Sequence, residues 1–133
     1  MFAHRFTVQL HHTDAYGILF FANQLMFCHD AFQAWLDSVG HPMAPERAKA
    51  EFVAVVVHAE SDYRSPIRLG DKLLIEYRIA AIGTTSFTND CRFLDPAGRE
   101  VGAARVVQVT LDPATGAKMP IPAWLRGLLA ANV

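Results

Sequence analysis

The sequence predicts an α+β domain in which an antiparallel, five-stranded curved sheet packs around one long central helix. Three observations carry this. A single apolar helical face runs through residues 21–39. One alternating strand precedes it. Four strand-like runs follow it, joined by tight turn signals, which implies antiparallel pairing.

Phe6, Val8 and Leu10 alternate with Thr7 and Gln9, the pattern of a half-buried strand. The polar cluster His11-His12-Thr13-Asp14 ends it, and Gly17 permits a turn or a close backbone approach. Phe21, Leu25, Cys28, Phe32, Trp35 and Val39 then recur at steps of four and three, tracing one face of a helix. Met26, Phe27, Ala31 and Leu36 broaden that face, as expected of a helix embraced by a sheet. Gly40 and Pro42 stop it.

Residues 43–51 read as a polar connector, and residues 52–63 as a long valine-rich strand. Pro66 and the turn Leu69-Gly70-Asp71 separate it from a strand with Leu73, Ile75, Tyr77 and Ile79 on one face. After Gly83, Phe87, Asn89, Cys91 and Phe93 alternate with polar neighbours. Asp95-Pro96-Ala97-Gly98 marks a hairpin into the last strand, Val101 to Leu111. Pro120 and Pro122 lead into a short helix around Trp124 to Leu129.

The 133 residues suit a single domain, 1–133. Apolar residues make up 52% and charged residues only 19%. So little polar surface predicts that some apolar surface is buried between subunits. A net charge of -1 with scattered Lys and Arg gives no general attraction to nucleic acid or anionic membrane. No apolar run approaches the roughly 18 residues of a membrane span, and the N-terminus does not read as a secretory signal. The cytoplasm is the expected compartment. Cys28 and Cys91, far apart and outside any metal-ligand spacing, read as two reduced, buried thiols.

Phosphate loops, dinucleotide fingerprints, zinc spacings and nucleophile elbows are missing from the sequence. No cofactor is expected. One segment stands out: HHTDAYGILFFANQ, residues 11–24. Asp14 lies between a strand and the helix, followed by the apolar run Ile18, Leu19, Phe20 and Phe21. Such a run is costly to expose and should line a pocket or an interface. The free N–H groups of a helix's first turn can hold an oxyanion. A carboxylate beside them in an apolar cleft suits acyl transfer. On spacing alone the plainer reading also stands, since an Asp before a helix is commonly a cap.

The stretch TDAYGILFFANQLMFCHDAFQAWL resembles the motif of the 4-hydroxybenzoyl-CoA thioesterase family of hotdog proteins. VVVHAESDYRSPIRLGDKLLIEYRI resembles that family's second and third strands, and residues 82–112 its closing hairpin. The similarity spans residues 4–126, with FCHDAFQAWL, VVVHAESDY and MPIPAW nearest the 1,4-dihydroxy-2-naphthoyl-CoA hydrolase branch.

The resemblance implies a hydrolase of acyl-CoA thioesters, with an aromatic acyl group preferred. Asp14 would be the catalytic carboxylate, attacking the thioester carbonyl or activating a water. The Phe21 backbone N–H would polarise the thioester oxygen. Gly17 would allow close approach of substrate. Tyr16, Phe20, Tyr63, Arg64, Thr84, Thr85 and Ser86 would border the substrate. A homodimer with its sheets joined edge to edge, or a tetramer of two such dimers, would place the site between subunits. Relatives with a basic cluster near residues 83–85 grip the nucleotide phosphates there. This chain has Gly83, Thr84 and Thr85 instead, which leaves Arg64, Arg68, Lys72 and Arg105 as candidates. Tyr16 stands where several relatives carry a small residue. Alternatives are a short- or medium-chain acyl-CoA or acyl-carrier-protein thioesterase, and a non-catalytic acyl-CoA-binding protein. His29 and His12 are read chiefly as a core or interface histidine and a surface neighbour.

Overall fold

The structure, a computed structural model, describes residues 1–45 and 51–133. Strand β1 (Phe2–Thr7) leads through a short 3-10 turn (Leu10–His12) to helix α1 (Ala22–Ser38). Strands β2 (Val53–Tyr63), β3 (Lys72–Ile82), β4 (Ser86–Leu94) and β5 (Glu100–Leu111) follow, then helix α2 (Ala123–Ala130). The five strands form one sheet in the order β1-β3-β4-β5-β2, antiparallel throughout. Strands β1 and β2 are its edges. The connector expected over residues 43–51 lies partly outside the described residues.

Period-two alternation decides which side chains meet α1. Leu73, Ile75, Tyr77 and Ile79 on β3 are buried, as are Phe87, Asn89, Cys91 and Phe93 on β4. The register sets the last four opposite Gln108, Val106, Ala104 and Gly102 of β5. Against this inner face α1 buries Phe27, Cys28, Ala31, Phe32, Trp35 and Leu36. The Phe32 ring lies 6.1–6.4 Å from those of Trp35, Tyr77 and Phe87. Each such side chain contributes about 1.5–3 kcal/mol on burial.

The outer face is charged. Asp90 accepts two hydrogen bonds from Arg105, at 2.7 and 2.8 Å, and pairs with Arg78 at 3.4 Å. Arg92 bridges Glu76 and Glu100, and Arg64 reaches Glu100 at 2.6 Å.

Three expectations need correction. The helical face is shorter than its spacing suggested. Phe21 precedes the first helical residue and Val39 follows the last, so both lie past the stretch the sheet covers and are exposed. Strand β1 ends at Thr7, because the Gln9 N–H donates to His12 Nδ1 at 2.9 Å and closes the 3-10 turn; Leu10 is therefore exposed. Cys28 and Cys91 are buried as expected but joined as a disulfide between α1 and β4, their Cα atoms 5.9 Å apart. Helix phase and strand alternation point both side chains into the same layer, a relation that their separation of 63 residues hides.

Candidate active site

Asp14 heads a tight loop. Its Oδ1 accepts the Tyr16 N–H at 2.8 Å, and its own N–H donates to the Ile18 carbonyl at 2.9 Å. The Gly17 N–H donates back to the Asp14 carbonyl at 3.1 Å, with Gly17 at φ +74°, a backbone conformation suited to glycine. Asp14 thus caps this turn and not the helix, which starts at Ala22 and has no side-chain cap. Oδ1 is engaged by the turn, while Oδ2 has no hydrogen-bond partner among the described residues.

The same loop sets the start of α1. Phe20 N–H and Asn23 Nδ2 both donate to the His12 carbonyl, at 2.9 and 2.8 Å. Leu19 N–H donates to the Ile67 carbonyl at 2.6 Å. The Phe21 carbonyl accepts the Tyr63 hydroxyl at 2.8 Å. Among the described residues, neither the Phe21 nor the Ala22 N–H has a partner. These are the donors a first helical turn leaves free.

Asp14 and Phe21 line one open cleft of about 370 Å³, together with Gln24, Tyr63, Arg64 and Ser65. Of the residues singled out from sequence, it therefore brings together Asp14, Phe21, Tyr63 and Arg64. Gly17 holds the loop without lining the cleft, and Phe20 and Tyr16 are exposed beside it, Tyr16 at 85%. Thr84, Thr85 and Ser86 do not reach it within one chain. Ser86 pairs with Val109, at the other end of β5 from Gly102, the partner of Tyr63. Their loop is held instead by Ile121 N–H on the Thr84 carbonyl and Thr110 N–H on the Thr85 carbonyl, each 2.9 Å.

Gln24 is the residue that sequence reading missed. It is fully buried, and its Nε2 reaches the Asp62 carbonyl at 2.7 Å, Ser61 Oγ at 2.8 Å and the Ala103 carbonyl at 3.2 Å. Its Oε1 is buried without a partner. A Cβ on Gly102 would lie 2.5 Å from that oxygen, so only glycine leaves room for the amide. The signal was available: position 24 lies one helical turn before Cys28, on the face turned to the sheet.

His12 stands edge-on to Phe27, ring centres 4.8 Å apart, and not in the cleft. Burial pushes its pKa below the usual histidine value; His11 adds to this and Asp30 opposes it. Of the candidate phosphate ligands, Arg64 and Arg105 are ion-paired to Glu100 and Asp90. Arg68 and Lys72 have no ion pair among the described residues, and Arg68 is bridged through its backbone to Ile18 in the Asp14 loop.

The chain is 32% identical over 118 residues to a 1,4-dihydroxy-2-naphthoyl-CoA hydrolase of Synechococcus elongatus, covering 88% of this chain and 86% of that one. In structure it resembles a 1,4-dihydroxy-2-naphthoyl-CoA thioesterase from Synechocystis, with TM-score 0.89, 24% identity, and 97% and 95% of the two chains covered. A gentisyl-coenzyme A thioesterase gives TM-score 0.82 at 25% identity, over 96% and 98% of the chains. The sheet wrapped on one main helix is the hotdog fold of these thioesterases. Residues 8–129 match the family model described as the thioesterase-like superfamily, and the chain belongs to that superfamily.

Proposed function

We propose that this protein hydrolyses the thioester bond of an aromatic acyl-CoA, with Asp14 as its catalytic residue. The observation that carries the reading is one cleft holding the Asp14 carboxylate and the unpaired N–H of Phe21. A thioester carbonyl set between them meets an oxygen nucleophile, or a base for water, on one side. On the other side it meets a hydrogen-bond donor for the developing oxyanion. In the direct route a carboxylate oxygen bonds to the carbonyl carbon, the thiolate of CoA leaves, and water cleaves the mixed anhydride. In the other route Asp14 takes a proton from the attacking water. The names of the similar hydrolases and thioesterases support both the CoA thioester and the aromatic acyl group.

The reading extends to a homodimer formed along β2. This edge strand is 11 residues long, its outer side unpaired among the described residues, and Val56 and Val57 on it are exposed. Long apolar edges invite pairing with another strand. Antiparallel pairing there brings Tyr63 and Arg64 beside the partner subunit, and the Thr84–Ser86 loop borders the CoA arm from across the interface. Two such dimers pairing give the tetramer. Of the candidate phosphate ligands, Arg68 and Lys72, which have no ion pair among the described residues, would meet the nucleotide phosphates. The protein acts as one domain, needs no cofactor, and works in the cytoplasm on CoA thioesters.

The test is free-thiol release from a panel of aryl- and alkyl-CoA thioesters. Aryl thioesters should give the highest kcat/KM. A purified protein that releases thiol from none of them would sink the reading.

A further inference from the structure

Gln24 lies in the first turn of α1 and borders the cleft that holds Asp14 and Phe21. Its side chain is fully buried, yet it is polar and its bonding is incomplete. Nε2 donates to the Asp62 carbonyl at 2.7 Å and to Ser61 Oγ at 2.8 Å, with the Ala103 carbonyl at 3.2 Å. Oε1 has no partner among the described residues. A buried oxygen without a hydrogen bond is costly, and a leucine or methionine here would avoid that cost. What an apolar side chain does not supply is direction: apolar packing is non-directional, whereas hydrogen bonds are not.

The direction is specific. Asp62 and Ala103 are paired across β2 and β5, so the amide grips both strands at once, at the end of β2. Gly102 leaves the space in which it sits, since an added Cβ would lie 2.9 Å from its Cδ and its Nε2. Tyr63, next in sequence to Asp62, donates from its hydroxyl back to the Phe21 carbonyl at 2.8 Å. Helix α1 is thus tied to the end of β2 at Phe21 and again at Gln24.

The Asp14 loop hangs on the chain that leaves this same strand end. Leu19 N–H donates to the Ile67 carbonyl at 2.6 Å, and Ile18 is bridged to Arg68. The Asp14 N–H in turn donates to the Ile18 carbonyl at 2.9 Å. Strand β2 and the segment after it therefore carry both halves of the proposed site. They hold the Asp14 loop through Ile67 and Arg68, and the Phe21 N–H through Gln24 and Tyr63. A shift of α1 along β2 would change the separation between carboxylate and donor, and one thioester must fit both.

We propose that Gln24 is a positioning residue for thioester hydrolysis, fastening the first turn of α1 to the end of β2 and so holding the Phe21 N–H in register with Asp14. This rests on the thioesterase reading given above and adds to it a residue that acts only through Phe21. A misplacement of about 1 Å at a reacting centre can lower a rate by about a hundredfold. The loss falls on the transition state, where the oxyanion develops, and hence on kcat and not on KM.

Kinetics on the aryl-CoA thioester that the parent cleaves fastest test this, with melting temperatures to establish that each variant is folded in the assay. Gln24→Met keeps the length of the side chain and loses its hydrogen bonds. Its kcat should fall by about tenfold or more, while KM changes by less than about threefold. Gln24→Glu separates positioning from bulk. While neutral, its carboxyl can donate one O–H to the Asp62 carbonyl; once ionised, it only accepts and sets a negative oxygen against carbonyls. Burial holds such a carboxyl neutral to higher pH than usual. The kcat of this variant should therefore decline as pH rises through a new ionisation that the parent and Gln24→Met both lack. Gly102→Ala displaces the amide without removing it and lies outside the cleft, so it should also lower kcat, and it carries the test if the Gln24 variants do not fold. A folded Gln24→Met or Gly102→Ala with parental kcat, a loss confined to KM, or a Gln24→Glu pH profile parallel to the parent's overturns the inference and leaves the thioesterase reading intact. A parent inactive on every CoA thioester overturns both.

Discussion

The Tyr63 hydroxyl donates to the Phe21 carbonyl at 2.8 Å, tying the end of β2 to the residue that opens α1. Phe21 carries the N–H proposed for the oxyanion, so this bond anchors the residue that bears that donor. Tyr63→Phe removes the tie and little else, because the ring is half exposed. One such hydrogen bond is worth about 1 kcal/mol, and spent on transition-state geometry that is roughly fivefold in rate. Steady-state kinetics should show the loss in kcat while the melting temperature stays near the parent's. An unchanged kcat would show that Tyr63 does not orient the helix start.

Gln24 and Gly102 should act as one unit. Gly102→Ala pushes a methyl group against the Gln24 amide and should cost about 1–3 kcal/mol. Gln24→Ala should cost a similar amount, through the partners it leaves at Asp62 and Ala103. The double variant should be less destabilised than the sum of the two, because removing the amide makes room for the methyl. Denaturant unfolding of all four proteins measures the coupling. Strict additivity would contradict a steric link between the two positions.

Acid should destabilise the fold in two stages. His12 has its pKa lowered by burial, and its Nδ1 accepts the Gln9 N–H. The unfolded chain therefore protonates first, so His12's contribution is full above about pH 6.5 and is lost as pH falls through its lower folded value. Asp90 is held below the usual carboxylate range, chiefly by the Arg105 hydrogen bond. Its contribution is present above about pH 4 and is lost as pH falls through its own folded value. Arg105 is half exposed, which keeps that second stage small. Melting temperatures from pH 8 to pH 3 should show both declines, and His12→Asn should flatten the first. Equal slopes in parent and variant would place the upper decline elsewhere.

The inner faces of β3 and β4 were legible residue by residue, because alternation is a local signal and burial follows it. The length of α1 was nearly so. Its phase at the ends was not, since the spacing of Phe21 and Val39 cannot report where the sheet stops. Contacts between distant segments were hidden in the same way. Joining Cys28 to Cys91, or fitting Gln24 against Gly102, depends on the register between helix and sheet. At the site, Asp14 was evident as an unusual carboxylate, but spacing left open which structure it caps. The hydrogen bond to Tyr16 answers that: it caps its own turn. Thr84–Ser86 came from family resemblance, and one chain alone does not carry them to Asp14.

The most direct measurement is thiol release by Asp14→Asn on the best substrate of the parent. The substitution keeps an oxygen to accept the Tyr16 N–H, so the loop and the melting temperature should persist. It removes the nucleophile or base, and kcat should fall by about a hundredfold or more. A folded Asp14→Asn protein that turns over that substrate at the parental rate would contradict the role given to Asp14.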